Sequence, residues 1–278
     1  MLSKLNTLQR RLPLFIVVLY AVELLDELIY GLHSAVLPYI KTDLALTYTQ
    51  IGLLFTVPGL VGIVCEPFIG LLGDTRHRKA LVTGGITATV AGLMCIALGQ
   101  TFALILIAFS VMGTASGAYV NLAQATLIDL NPRRAEHTMA RWVLMGAIGV
   151  MVSPLVATAA FYLGYGWRGL YLALAGAAGA YVAILLRQKF DAHDGAAEET
   201  ISPRKMVAAL IGALRNRELL RWILLTELAD FILDKLLEVT GLYFHDVVGV
   251  SFAAASFAAA VFTITGLIGN ALLVPALE

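Results

Sequence analysis

Hydrophobic and polar positions divide the chain into eight long apolar segments separated by shorter polar connections. The segments cover roughly residues 14–39, 50–72, 80–99, 102–128, 139–163, 168–187, 219–244 and 252–275. Each segment is near the length of about 20 residues that an α-helix needs to cross the hydrocarbon core of a bilayer. The pattern therefore predicts an all-α polytopic membrane protein with eight transmembrane helices.

One polar stretch is longer than the other connections. It covers residues 188–218 and carries acidic side chains first and basic side chains afterwards. Ser202 and Pro203 are typical of a helix start, so the second part of this stretch could form an amphipathic helix on the membrane surface. The prediction is a six-helix N-terminal bundle at 1–187, a cytoplasmic linker at 188–218 and the first two helices of a second, incomplete bundle at 219–278.

Basic residues are distributed unequally between the two sides of the predicted membrane protein. Of the 19 Lys and Arg residues, all but Lys41, Arg168 and the intramembrane Lys235 lie before helix 1 or after helices 2, 4 and 6. Loops rich in Lys and Arg normally remain in the cytoplasm. We therefore expect an integral protein of the cytoplasmic membrane with its N-terminus in the cytoplasm.

Composition and motifs argue against several other classes of protein. Apolar residues make up 59% of the chain and the formal net charge is zero, so we expect the lipid bilayer as a partner and no nucleic acid. The sequence contains no His-Glu-x-x-His and no Gly-x-Ser-x-Gly. We therefore expect no enzymatic activity, no cofactor and no metal site.

Three carboxylates lie near the middle of the first apolar segment. Glu23, Asp26 and Glu27 would each be costly in hydrocarbon, so such groups normally face a cavity or a partner. Helical spacing places Glu23, Glu27 and Tyr30 on one narrow face, with Asp26 at its edge. We predict that this face is wet and that these four residues bind the substrate or protons.

The same acidic pattern returns 204 residues later. Glu227-Leu-Ala-Asp230 repeats Glu23-Leu-Leu-Asp26, and Asp234 shares a helical face with Glu227. Two related halves, each opening with an acid-bearing helix, are typical of transporters. Glu227, Asp230 and Asp234 are therefore further candidates for substrate or proton binding.

A structural role for these acids remains an alternative. Lys235 lies within reach of Glu238 three residues later, and ion pairs of this kind could account for some of the carboxylates. The repetition of acids between the two halves could also reflect common descent and a shared packing role.

The connection after the second helix carries a recognisable motif. It reads Gly70-Leu-Leu-Gly73-Asp74-Thr75-Arg76-His77-Arg78-Lys79. This resembles the signature loop of the major facilitator superfamily, a Gly-x-x-x-Asp followed by a basic residue, Gly, Arg and Arg or Lys. Gly70, Asp74, Arg78 and Lys79 match that pattern, while Thr75 and His77 depart from it.

The resemblance implies a role for each part of this loop. The glycine would let two helices approach closely, and Asp74 and Arg78 would hold one conformation of a conformational-switch loop. The alternative is a basic cluster that only sets the topology.

Two further segments are similar to the same superfamily. The run from Asp129 to Arg134 looks like its cytoplasmic loop of an acid followed by arginines. Gly149-x-x-x-Ser153-Pro154-x-x-Ala157 resembles a glycine and proline segment of its proton-coupled antiporters. The fourth helix lacks the intramembrane Arg of those antiporters, and small-residue packing around a proline is the alternative interpretation.

The resemblance implies a transporter with twelve helices in two halves, of which this chain would be a C-terminally truncated form. We expect a secondary active transporter that moves a small solute by alternating access, with proton-coupled efflux of an amphipathic or cationic compound. A proton-coupled importer or uniporter of a metabolite, or a truncated non-transporting membrane protein, are the alternatives. The expected partners are a small-molecule substrate and protons, and the expected state is a monomer.

Overall fold

The computed structural model describes residues 2–73, 75–188, 211–212 and 215–277. Asp74 of the predicted switch loop and most of the predicted linker, with most of its expected surface helix, lie outside the described residues. The helices are α1 (Leu2–Asp43), α2 (Tyr48–Gly73), α3 (Arg78–Leu98), α4 (Phe102–Leu130), α5 (Ala135–Tyr162), α6 (Trp167–Leu186), α7 (Arg217–Asp246) and α8 (Phe252–Leu277), with a 3-10 turn at Pro132–Arg134.

The apolar segments read from the sequence coincide with these helices. Each predicted segment matches one helix to within a few residues, except that α1 begins earlier, at Leu2. Within the described residues, α2 to α6 are the helices that are long and apolar enough to cross a membrane by length and composition. The all-α class is therefore confirmed, while the count of eight transmembrane helices stays a prediction.

At the start of two helices, a polar side chain accepts hydrogen bonds from backbone N–H groups. The Thr101 hydroxyl accepts a hydrogen bond from the backbone N–H of Leu104 at the start of α4. The side chain of Asn216 accepts hydrogen bonds from the N–H groups of Glu218 and Leu219 at the start of α7. Both residues satisfy backbone donors that have no partner within the first helical turn.

The first six helices pack around α1 and α4. Helix α1 lies along α5, α3 packs on α4 and α6, and α2 packs on α4. Leu37 and Ile40 of α1, Ile96 of α3 and Ile105 of α4 are fully buried in the resulting core. Helices α7 and α8 pack on each other, α7 also contacts α1, and α8 contacts α5.

Small residues bring α5 unusually close to α1. A Cβ added at Gly149 would lie 2.7 Å from the backbone oxygen of Leu24, and one added at Gly31 would lie 3.0 Å from the Cβ of Ser153. The Ser153 hydroxyl donates a hydrogen bond to the backbone oxygen of Leu28 at 2.8 Å. The Gly149 to Ala157 segment thus forms a tight helix contact, as its small residues predict.

A glycine near the end of α2 lies in close contact with α4. A Cβ at Gly70 would meet nothing within 4 Å, whereas a Cβ at Gly73 would overlap the side chain of Leu122 on α4. The role that the resemblance gives to Gly70 stays a prediction. The close contact between α2 and α4 lies at Gly73, the residue that α2 turns toward α4.

Candidate functional site

A cavity of about 240 Å³ lies among α1 to α4 and is bordered by α7. Its wall is mainly aromatic and aliphatic, with a few polar groups, as is usual for a small-molecule site. The lining residues are Asp26, Ile29, Tyr30, His33, Leu54, Phe55, Pro58, Thr89, Phe109, Met112, Gly113, Ser116, Tyr119 and Glu238.

Asp26 is the carboxylate that α1 presents to this cavity. It accepts a hydrogen bond from the Ser116 hydroxyl at 3.0 Å and a second from the Tyr119 hydroxyl. Ser116 and Tyr119 are three residues apart on α4, so one face of that helix supplies both donors. In the described part of the chain, no Lys or Arg side chain bonds to this carboxylate.

Glu23 and Glu27 lie against α5. A Cβ at Gly146 would approach Glu23 Oε1 to 2.8 Å, and one at Gly149 would lie 2.9 Å from the Cβ of Glu27. Neither glutamate lines the cavity that Asp26 and Tyr30 line. The structure thus places Asp26 and Tyr30 on this cavity and the two glutamates against α5, and the role of Glu23 and Glu27 in substrate or proton binding stays a prediction.

Tyr30 connects α1 to a charged pair on α7. Its hydroxyl lies 3.5 Å from Glu238 Oε1, at the outer limit of a hydrogen bond. Lys235 Nζ lies 2.8 and 2.6 Å from the two oxygens of Glu238. The predicted reach of Lys235 to Glu238 is thus confirmed, and Glu238 also lines the cavity.

Three further candidate acids lie on α7 before Glu238. Glu227, Asp230 and Asp234 lie within the helix Arg217–Asp246. Their side chains lie outside what the structure describes, so their proposed role stays a prediction.

An imidazole is also part of the cavity wall. His33 Nδ1 lies 2.7 Å from the hydroxyl of Tyr171 on α6. The ring of His33 stacks on Phe109, with the ring centroids 4.4 Å apart. Sequence reasoning did not connect these residues because they lie on three helices that are far apart along the chain.

The second halves of α1 and α7 meet at one end of the molecule. Lys41 Nζ and the Tyr48 hydroxyl each lie 2.9 Å from Asp246 Oδ2, and the ring of Tyr39 stacks on Phe252 at 3.8 Å. By contrast, residues 217–225 at the start of α7 are exposed. The described contacts between the two helices therefore lie between Tyr30 and Lys41 on α1 and between Glu238 and Asp246 on α7.

Hydrogen bonds at the end where α1 meets α7 shift the pKa values of Asp246 and Lys41. Partial burial would raise the pKa of Asp246, but hydrogen bonds from Lys41 and Tyr48 outweigh that effect and hold the pKa below its ordinary value. The hydrogen bond to Asp246 in turn raises the pKa of Lys41. Each partner stabilises the charged form of the other.

Arg78 and Lys79 of the predicted switch loop connect three helix ends. Arg78 donates to the backbone oxygen of Gly73 at 2.8 Å and to Asp129 Oδ2 at 2.6 Å. Lys79 Nζ lies 2.7 Å from the backbone oxygen of Gln188, just beyond α6. The sequence singled out Asp129 but did not identify it as the partner of Arg78.

The profile of the Major Facilitator Superfamily matches residues 19–277. The chain, with its helices arranged around an acid-bearing α1, belongs to that superfamily of membrane transporters.

Among curated proteins, the chain is 25% identical over 136 residues to the fosmidomycin resistance protein of Escherichia coli. It is 26% identical over 102 residues to the quinolone resistance protein NorA of Staphylococcus aureus. These alignments cover 48% and 37% of this chain, but only 33% and 26% of the relatives. The matched part is therefore about a third of each relative or less.

Solved structures show the same fold. A bacterial homologue of the human lysosomal transporter Spinster, in an inward-facing and unoccupied conformation, matches with a TM-score of 0.74 and 14% identity over 92% of this chain. The nucleoside transporter NupG matches with a TM-score of 0.74 and 13% identity over 94% of it. This chain covers 60% and 66% of those two proteins.

Proposed function

We propose that this chain forms part or all of a proton-coupled secondary transporter that exports a small amphipathic or cationic compound by alternating access. The observation that carries the proposal is Asp26 on the wall of an otherwise apolar cavity, held by the hydroxyls of Ser116 and Tyr119. The resistance functions named for the Escherichia coli and Staphylococcus aureus relatives support export as the direction.

The partners of Asp26 suit a group that gains and loses a proton. A carboxylate held by Lys or Arg would leave a buried cation unpaired on protonation, which is costly. Hydroxyl groups rotate and both donate and accept, so they can stay hydrogen-bonded to either form of the acid. Asp26 is therefore the residue we assign to proton exchange.

The rest of the cavity suits an apolar body with a positive charge. Phe55 and Phe109 lie edge to face with centroids 6.3 Å apart, and Met112 and Pro58 border them. Aromatic faces and a nearby carboxylate both favour a cation. We keep Glu23, Glu27, Tyr30, Glu227, Asp230 and Asp234 as further candidates for proton or substrate binding.

Alternating access needs a molecule that opens at one end at a time. The contact between α1 and α7 at Asp246, with the exposed start of α7 at the other end, supports a state open on the side of Arg217. With the N-terminus in the cytoplasm, that side faces the cytoplasm. The Spinster homologue, described as inward-facing, has a similar fold.

The organisation predicted from the sequence belongs to the same proposal. It comprises a bundle at 1–187, a cytoplasmic linker at 188–218, two further helices at 219–278 and eight transmembrane helices in all, in a monomer of the cytoplasmic membrane. Gly70, Asp74, Arg78 and Lys79 are proposed as the loop that switches between conformations. The bonds from Arg78 to α4 and from Lys79 to the end of α6 support a loop that responds when these helices move.

The test is proton release on ligand addition. The full chain would be purified in detergent without buffer and titrated with a panel of cationic, zwitterionic and anionic aromatic compounds. We expect release with cationic compounds, its loss in Asp26→Asn, and its retention in the control Asp43→Asn. The control removes a carboxylate that is bonded to Arg168 away from the cavity.

Other outcomes would favour the alternatives. Ligand binding detected by thermal shift without proton release would contradict proton coupling and favour a uniporter. Proton uptake with ligand, instead of release, would favour a proton-coupled importer. No binding of any compound would favour a non-transporting membrane protein.

A further inference from the structure

His33 is a buried polar side chain on the cavity wall that the proton-exchange proposal does not use. Its side chain is buried between Phe109 and Tyr171, yet the residue lines the same cavity as Asp26. A polar group kept in so apolar a place needs a partner for each of its nitrogen atoms. One nitrogen, Nδ1, has the Tyr171 hydroxyl as its partner.

The direction of this hydrogen bond follows from the hydrogen-bond partners that the Tyr171 hydroxyl has. Its side chain is fully buried, and within the described residues His33 is the partner of its hydroxyl. If Nδ1 carried the proton and donated, the phenol would accept and its own O–H would be buried without an acceptor, which is costly. The hydroxyl therefore donates to Nδ1, and the neutral ring carries its proton on Nε2.

The second ring nitrogen, Nε2, is the one available to bind a molecule in the cavity. Nε2 is a separate ring nitrogen whose N–H points in a different direction from Nδ1, and Tyr171, the partner of Nδ1, is not a cavity-lining residue, whereas His33 is. No side chain in the described ranges accepts a hydrogen bond from Nε2. The Nε2–H group is thus a donor whose acceptor has to come from whatever fills the cavity.

We propose that His33 is a specificity-determining residue that donates its Nε2–H to a carbonyl or carboxylate oxygen of the substrate, and that Tyr171 is the positioning residue that fixes this tautomer. The substrate class is an aromatic amine with an oxygen acceptor at the end opposite the amine. Its ring lies against Phe55 and Phe109, and its amine lies toward Asp26. This inference rests on the proposed function only in taking the cavity as the substrate site.

Nitrogen NMR on protein labelled in histidine alone tests the tautomer without any ligand. The chain has five histidines, and the signal that disappears in His33→Gln identifies His33. We expect a neutral ring protonated at Nε2 in the wild type and a mixture of tautomers in Tyr171→Phe, which lacks the hydroxyl donor. A wild-type ring protonated at Nδ1, or at both nitrogens, would overturn the proposal.

A matched pair of probes tests the acceptor. The two compounds are 4-acetylbenzylamine, which carries a ketone oxygen, and 4-isopropylbenzylamine, which has nearly the same shape without it. We expect the ketone to bind about tenfold more tightly to the wild type, the size of effect that one buried hydrogen bond gives. Equal affinities, or no binding of either compound, would overturn the acceptor proposal.

Two variants of His33 sharpen this test. Gln places an amide N–H near the position of Nε2, whereas Asn places it near the position of Nδ1, and both lack the aromatic ring. We expect His33→Gln to keep most of the preference for the ketone and His33→Asn to lose it. Loss in both variants, with melting temperatures equal to that of the wild type, would mean that the ring packs and does not donate.

The result is separable from the proton-coupling proposal. Neither the NMR measurement nor the probe preference depends on proton movement. Preference for the ketone without proton release would keep this inference and contradict coupling. Proton release with both compounds at equal affinity would do the reverse.

Discussion

Helices α1 and α7 carry the same acidic pattern, but their described carboxylates have different neighbours. Asp26 on α1 is held by two hydroxyl groups of α4, whereas Glu238 on α7 forms a close ion pair with Lys235 of its own helix. Both residues line one cavity. Two carboxylates on the wall of one cavity can therefore have different chemical roles.

These different neighbours indicate which of the two carboxylates is suited to proton exchange. Protonation of Glu238 would break its ion pair with the partly exposed Lys235 and leave that ammonium group without its counter-ion. We therefore expect Glu238 to stay ionised and to keep the ion pair in place. Asp26 has no such counter-ion in the described residues and is suited to exchange. The four predictions below test this contrast, beginning with the largest expected effect.

Replacing Asp26 should produce the largest effect on activity. In Asp26→Asn, we expect ligand-induced proton release to fall to background, because the amide cannot take up and lose a proton at neutral pH. The amide oxygen still accepts from Ser116 or Tyr119, so stability should change by no more than about 1 kcal/mol. Glu238→Gln should keep proton release, and its loss in both variants would remove the distinction between the two acids.

The sequence predicted the helices well but not the neighbours of these acids. Apolar runs near the length of a bilayer fix where helices lie, so α2 to α8 begin and end close to the predicted residues. Helical periodicity groups Glu23, Glu27 and Tyr30 on one face, but it does not say which helix packs there. The small residues of α5 decide that, and they let α5 pack directly against Glu23 and Glu27.

The hydroxyl partners were missed for a related reason. Ser116 and Tyr119 lie in an apolar helix where such residues commonly serve packing, and they are about ninety residues from Asp26 along the chain. The ion pair of Lys235 with Glu238 could be predicted because it needs only spacing within one helix. Local pairs are visible in a sequence, whereas pairs between helices require the packing first.

The close contact between α5 and α1 offers the second test, because it holds α1 where Asp26 faces the cavity. In Gly149→Ala, the new methyl group would lie 2.7 Å from the backbone oxygen of Leu24, which cannot move without shifting the helix. We expect destabilisation by about 1–3 kcal/mol, measured by denaturation in detergent. Proton release should also weaken if the position of α1 matters for Asp26.

Gly176→Ala on α6 is the matched control. A Cβ there would meet nothing within 4 Å, so the substitution should leave stability unchanged or raise it by up to about 1 kcal/mol. Equal destabilisation by both substitutions would mean that the close contact at Gly149 has no special importance.

The ion pair on α7 gives the third test. Lys235→Met leaves the buried Glu238 without its ammonium partner, and we expect a loss of about 1–2 kcal/mol, since the lysine is partly exposed. The double variant Lys235→Met with Glu238→Gln should recover much of this loss, because it removes the uncompensated charge. Additive losses in the double variant would show that the pair contributes nothing as a pair.

The contact that joins α1 to α7 at Asp246 should give the smallest effect, and it depends on pH. The pKa of Asp246 in the folded chain lies below its ordinary value of 3.8, because hydrogen bonds from Lys41 and Tyr48 outweigh its partial burial. Its stabilising contribution is therefore fully present above about pH 3.8 and is lost as the pH falls through the lower folded value. For an ion pair near the surface, we expect a contribution of no more than about 1 kcal/mol to the free energy of unfolding.

Asp246→Asn measures this contribution directly. Its melting temperature should lie slightly below that of the wild type at pH 7, and the two should converge as the pH falls below 3.8, the ordinary pKa of the aspartate. Asp43→Asn is the control, because Asp43 pairs with Arg168 inside the first six helices and does not join α1 to α7. A second measurement is the distance between spin labels at positions 44 and 248. This distance should increase in Asp246→Asn and stay unchanged in Asp43→Asn. Separation in both variants would show that the α1–α7 contact responds to any lost charge at that end, so that Asp246 would have no particular part in joining the two helices.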